Sequence, residues 1–191
     1  SSERVLLHHA NGSSCRMDDW MPQTTELRPG DGIVLEPVGG RSSDGVCPFM
    51  NIQGEGGGLV LGVGWTGQWT SRFRRGQRGL RVVAGMKRTH LRLHPGERIR
   101  SPRILVIPWH GCDMEIGNNL LRQTLIAHYL PRVNGELIMP PVAQCLQFNY
   151  YLTGKAGEQY ELQALPLVAA VGADVYWIDA CWYGSGKHWG A

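Results

Sequence analysis

The sequence predicts a β-sandwich followed by a single βαβ unit. Three observations carry that expectation. Up to about Ile107 apolar residues alternate or run in short blocks between glycine- and proline-bearing turns. After Trp109 the period lengthens to that of a helix. The last 50 or so residues then read strand, helix, strand.

In the β-rich part, Leu59, Leu61, Val63 and Trp65 fall on one face of a strand. Val60, Gly62 and Gly64 make the other, a narrow face suited to close packing. Thr89 to His94 sets Leu91 and Leu93 against His90, Arg92 and His94, which predicts a half-buried strand with a wet, basic face. Ile104 to Trp109 is a continuous apolar strand candidate. Two similar turns, Leu27-Arg28-Pro29-Gly30-Asp31 and Leu93-His94-Pro95-Gly96-Glu97, suit type II geometry. Proline presets φ at the first central position and glycine accepts positive φ at the second.

Met114 to Tyr129 places Ile116, Leu120, Leu121, Leu125 and His128 at helical spacing without an internal proline. Pro131 to Val142 reads as an ordered linker. An apolar strand from Val142 to Phe148, a helical stretch from Glu158 to Val171 and a strand from Asp174 to Asp179 complete the chain. Such a βαβ unit joins parallel strands. Pro166 is expected to kink or split its helix. The unit has no sheet of its own to join. The domain reading is therefore a partial sandwich over 1–112, a helical linker over 113–140 and the start of a β/α domain over 141–191. The amino end lacks a Met and a signal-peptide pattern, and the carboxyl end stops just after a strand-like run. Both read as cuts in a longer chain.

Composition narrows the function classes. Hydrophobic residues make up 42%, and no apolar run approaches the roughly 20 residues that span a bilayer, so no membrane partner is expected. The net charge of +3 is uneven. Arg72 to Arg103 holds 11 Lys or Arg and one acid, Glu97, a net of +10 against −7 elsewhere. A nucleic-acid footprint is one reading. The alternation in the segment favours solvent-facing strand positions, so no nucleic-acid partner is expected. Five cysteines at wide spacings, without C-x-x-C, support neither a zinc ribbon nor a redox motif. Reduced core thiols are the expectation, with a cytoplasmic location.

Gly62, Gly64 and Gly67 form a G-x-G-x-x-G, but the aromatic, β-prone QWTSRF follows instead of a helix. A hairpin is expected there, and no cofactor. His90 and His94 on one strand would lie roughly 13 Å apart, too far to share a metal. The carboxyl end is more telling. In DVYWIDACWYG an acid closes a buried strand and aromatics follow. The carboxyl ends of strands form the active-site face of a β/α barrel. A carboxylate there accepts hydrogen bonds from sugar hydroxyls while aromatics cover the apolar sugar face. Equally, the acid caps a loop and the indoles fill a core.

Four stretches together resemble glycoside hydrolase family 36: GGRSSDGVCPF (Gly39 to Phe49), LVLGVGWTGQW (Leu59 to Trp69), LRLHPGERIRSPRILVIPWHG (Leu91 to Gly111) and VGADVYWIDACWYG (Val171 to Gly184). They occur in the family's order across most of the chain. The resemblance implies that the fold is the carboxyl-terminal part of a β-supersandwich followed by the first βαβ unit of a truncated (β/α)8 TIM barrel. It implies retaining hydrolysis of terminal α-galactosides by two Asp residues. Asp179 matches the first acid of the family's D-D-G-W motif, which holds galactose hydroxyls, and Trp182 matches its Trp. Ala180 stands where the second Asp is usual, and Cys181 replaces the Gly. Phe148 to Tyr151 follow the first barrel strand, where the family places a sugar-contacting aromatic.

No catalytic residue is expected within the chain. A retaining pair lies roughly 5 Å apart, whereas Asp174 and Asp179, at opposite ends of one strand, are roughly 16 Å apart. The family's nucleophile and acid/base lie beyond Ala191, so this chain alone is expected to be inactive. The intact protein is expected to take an α-galactoside or related oligosaccharide and to be open to homo-oligomerisation. Two alternatives remain. One is an enzyme for a different α-glycoside, such as an α-N-acetylgalactosaminide. The other is a non-catalytic carbohydrate-binding sandwich with Trp65, Trp69 and Trp109 as an exposed platform.

Overall fold

The structure, a computed structural model, describes residues 4–145 and 157–179. The chain divides after Tyr129 into two compact units.

The first unit is a sandwich of two antiparallel sheets. One holds five strands, β1 (Val5–Ala10), β2 (Pro22–Leu27), β4 (Phe49–Gly54), β5 (Gly57–Gly64) and β8 (Arg103–His110), in the order β2-β1-β4-β5-β8. The other holds β3 (Gly32–Leu35), β6 (Trp69–Arg75) and β7 (Leu80–Met86), in the order β3-β6-β7. Alternation decides what enters the core. Leu7, Leu27, Met50, Leu61 and Val63 from the first sheet meet Leu35, Trp69 and Phe73 from the second. The Trp69 indole is fully buried and donates to the Ser42 carbonyl at 2.6 Å. Burying that ring removes a large apolar area from water and leaves no orphan N–H.

The narrow face of β5 packs as its glycines require. Opposite Gly58 in the ladder stands Trp109. A Cβ on Gly58 would sit 2.4 Å from the Trp109 ring. Against the same ring runs α1 (Glu115–His128), where a Cβ on Gly117 would meet the indole at 2.7 Å. The indole donates to Asn51 Oδ1 at 2.8 Å, and Asn51 Nδ2 donates to the Met114 carbonyl at 3.0 Å. One buried amide thus ties sheet, indole and helix start together, which is why α1 belongs with the sandwich.

Both proline–glycine turns form as read. Gly30 and Gly96 take φ of 101° and 87°, and the Asp31 and Glu97 amides bond back to the Arg28 and His94 carbonyls. Each acid also closes its turn, Asp31 onto the Arg28 amide at 2.8 Å and Glu97 onto the His94 amide at 2.7 Å.

Several expectations need correction. Thr89 to His94 is not a strand: residues 87–102 form an arm without regular pairing, with Leu91, Leu93 and Ile99 about half exposed. Alternation alone does not make a strand when no ladder partner is within reach. The 62–67 glycines do not serve a hairpin either. β5 and β6 lie in different sheets, so this corner carries the chain from one layer to the other. There Gly62 accepts the Phe49 ring and Gly67 lies against the Trp65 indole. Trp65, Trp69 and Trp109 make no exposed platform: Trp69 and Trp109 are buried and Trp65 is half-buried. The carbohydrate-binding platform is thereby overturned. Of the four described cysteines, Cys15 and Cys112 are exposed and Cys47 and Cys145 half-buried, not core.

His9 gives the first unit a pH response. Its ring, half-buried on the inner face and bonded to Thr25 Oγ1 at 3.1 Å, is held below the usual histidine range by burial and then by neighbouring His8. The folded state therefore resists protonation more than the unfolded chain does. Stability from this group is present above the unfolded value of roughly 6.5 and is lost as pH falls through it. We expect a urea midpoint that drops between roughly pH 7 and pH 5, with His9→Gln flattening that segment of the profile. A second loss, below about pH 4, comes from Asp19, which the Ser14 amide and neighbouring donors hold below the usual carboxylate range.

In the second unit, Arg132–Val133 (β9) and Glu136–Leu137 (β10) form a small hairpin inside the expected linker. Its turn residues Asn134 and Gly135 take φ of 52° and 85°, the two positive values that a type I′ turn demands. Ala143–Cys145 (β11), Glu158–Ala170 (α2) and Val175–Trp177 (β12) form the βαβ unit. Pro166 does not split α2 into two helices. The carbonyl it leaves without a helical donor is that of Leu162, which is 62% exposed and open to water.

Candidate functional site

The candidate site is the carboxyl end of the β11–β12 pair. The two strands run parallel, with Ala143 opposite Val175, Gln144 opposite Tyr176 and Cys145 opposite Trp177. Parallel pairing sends both carboxyl ends to the same edge. Asp179 follows β12 by two residues and is exposed there.

The register that delivers Asp179 is fixed at the other end. The Asp174 amide donates to the Val142 carbonyl at 2.8 Å, and the Val142 amide donates to Asp174 Oδ2 at 2.9 Å. Asp174 therefore clamps the start of the pair, and its carboxylate is committed to backbone. Tyr176 ties the strand to the helix through a hydrogen bond from its hydroxyl to Glu161 of α2. Burial and then the Glu161 carboxylate push the Tyr176 phenol above its usual range, so it stays a donor. Sequence reasoning missed both anchors. The available signal was an acid at a strand's first position, one period-2 step before an inward tyrosine.

The structure does not bring Asp174 and Asp179 together, as their places at opposite ends of one strand require. Trp182, Cys181 and the Phe148 to Tyr151 segment lie outside the described residues. Among the described residues, no three His, Cys, Asp or Glu side chains converge as a metal site would need. No described helix is long and apolar enough to cross a membrane.

The unit's apolar faces are open. Val142, Leu167 and Val171 are between 62% and 78% exposed, and Trp177 is 56% exposed. Parallel strands are normally covered on both faces. A cleft lined by Gln144, Tyr160, Gln163, Leu167 and Val171 runs along the helix flank.

No protein-family model matches the sequence, and no curated protein does. Among solved structures, an α-galactosidase from Lactobacillus brevis superposes with a TM-score of 0.71 over 95% of this chain, at 18% identity. The chain shares its fold with part of an α-galactosidase. It spans 25% of that protein's length. The likeness covers sandwich, helix and βαβ unit together, so the order of elements is common to both chains.

Within the sandwich, two of the stretches quoted above as motifs meet in space. The Gly40 amide donates to Gln68 Oε1 at 2.9 Å, and Gln68 Nε2 donates back to the Pro37 carbonyl. With the Trp69–Ser42 bond, GGRSS and GWTGQW form one packed corner. Their role here is architectural.

Proposed function

We propose that this chain is part of a longer retaining α-galactosidase of glycoside hydrolase family 36, comprising the end of its sandwich and the first βαβ unit of its (β/α)8 barrel. The observation that carries the reading is the parallel β11–β12 pair with Asp179 past its carboxyl end. The open apolar faces of the unit and the fold likeness support it. In a β/α barrel that edge is the active-site rim. Asp179 accepts hydrogen bonds from galactose hydroxyls and Trp182 covers the apolar face of the sugar. The nucleophile and the acid/base come from later strands. Ala180 removes one hydroxyl acceptor of the usual pair. That departure favours, as the second reading, a related α-glycoside such as an α-N-acetylgalactosaminide. Free thiols at Cys15, Cys47 and Cys112 suit a reducing compartment.

The test is hydrolysis by the longer protein of nitrophenyl α-galactoside and its N-acetylated analogue. Hydrolysis with retained anomeric configuration is expected. Asp179→Asn keeps the shape and removes the charge on the hydrogen bonds, worth about 1.5–3 kcal/mol. We therefore expect kcat/KM to fall roughly 10- to 100-fold. No hydrolysis of either substrate sinks the reading.

A further inference from the structure

The basic segment is left unexplained by a sugar site on the other unit. Ten of its 11 cations are Arg, and nine of those side chains are exposed. Lys87 is in an ion pair, 2.7 Å from Glu36. Buried Arg75 does not join that surface.

Strand register arranges the charge. β6 alternates exposed Arg72 and Arg74 with inward Ser71 and Phe73. Arg74 stands directly opposite Arg81 of β7, and Arg72 lies between Val34 of β3 and Val83 of β7. Like charges facing each other across a ladder destabilise a sheet. Among the described residues no carboxylate lies within ion-pair distance of Arg74 or Arg81, and Glu36, the acid that neighbouring Arg72 acts on, is already bound to Lys87. A local rule broken without a structural gain marks a surface kept for a partner. The 87–102 arm continues the field with exposed Arg88, Arg92, Arg98 and Arg100.

The chemistry of that surface selects among anions. Guanidinium forks match planar carboxylates, sulfates and phosphates with two parallel bonds, which Lys does not. The outward positions of the sheet carry no aromatic, since Trp69 and Phe73 point into the core. Stacking on bases or on neutral sugar rings is therefore absent from this face.

We infer that the outer face of β3-β6-β7 and the arm bind a linear anionic polysaccharide, carboxylated or sulfated, by rows of bidentate Arg contacts. The choice of a polysaccharide over other polyanions rests on the glycosidase reading. The site itself goes beyond that reading, because it lies on the sandwich.

The experiment is titration of this 191-residue chain with polygalacturonate, heparin, neutral galactomannan and duplex DNA in rising NaCl. Binding to polygalacturonate or heparin is expected, whichever of the two is tighter naming the anion. It should weaken with salt and fall at least tenfold in Arg72→Ser/Arg74→Ser/Arg81→Ser. The arm variant Arg98→Ser/Arg100→Ser, in unpaired backbone, should fall severalfold and guards against a sheet variant that fails to fold. No binding to either acidic polymer overturns the inference. So does tighter binding to DNA, or affinity unchanged in both variants. Hydrolysis of a small neutral α-galactoside by the longer protein is read separately. Its failure removes the glycosidase reading and leaves the polysaccharide titration to stand or fall by itself.

Discussion

Trp69→Ala should cost the sandwich about 3–5 kcal/mol, the range for deleting a buried large aromatic. Trp69 has no exposed surface and contributes the largest of the fully buried side chains. It packs where both sheets converge, with Leu7, Met50, Leu61 and Phe73 in the same cluster. Truncation leaves a cavity that two hydrogen-bonded sheets cannot close. It also strands the Ser42 carbonyl, which accepts the indole N–H at 2.6 Å. Against a total of about 5–15 kcal/mol for an ordinary domain, that loss is roughly a fifth of the stability or more. A urea titration of the 191-residue chain followed by far-ultraviolet dichroism reads it. Trp65→Ala, at a half-buried ring, should shift the midpoint by much less. Equal shifts for the two would mean that the core is not centred on Trp69.

Gly58→Val should cost about 3 kcal/mol, at the upper end for overpacking. Its added Cβ would fall 2.2 Å from the Ile52 carbonyl oxygen and 2.4 Å from the Trp109 ring. The first of these is backbone held in a ladder, so neither neighbour has room to move without breaking something. If Trp109 shifts, its bond to Asn51 goes, and with it the link from Asn51 to the Met114 carbonyl at the start of α1. The helix should then loosen from the sheet before the sheet unfolds. Amide exchange over 115–128 should quicken more than exchange in β1 or β4. Gly85→Ala is the matched control, because its Cβ would meet nothing within 4 Å. Removing that glycine should leave stability unchanged or slightly raised. A helix that stays protected in Gly58→Val would show that Trp109 does not seat it.

Local chemistry was legible in the sequence and long-range pairing was not. The two proline–glycine turns form as read because their geometry is written within four residues. α1 formed because a 3.6-residue period needs no distant partner. Leu91 and Leu93 alternate as well as any strand, yet among the described residues no strand pairs with the arm, and an unpaired alternation stays coil. The tryptophans failed for a related reason. Whether an indole is a platform or a core depends on which layer covers it, and the β5–β6 corner that sends Trp69 to the second sheet is a tertiary fact. The Asn134–Gly135 hairpin is different. Its two turn residues, which favour positive φ, are embedded in a proline-flanked stretch with the composition of a linker. At the candidate site, an acid ending an apolar strand pointed to Asp179, while the Asp174 clamp emerged only once the parallel register was known.

The central claim is that the β11–β12 edge presents Asp179 to a sugar. A crystal structure of the longer protein with galactose bound tests it most directly. The account predicts the Asp179 carboxylate within about 3 Å of sugar hydroxyls, hydrogen-bond distance, at the carboxyl edge of a closed parallel sheet that begins with β11 and β12. Galactose bound at a site remote from that edge, with the Asp179 carboxylate turned away from it, would contradict the account.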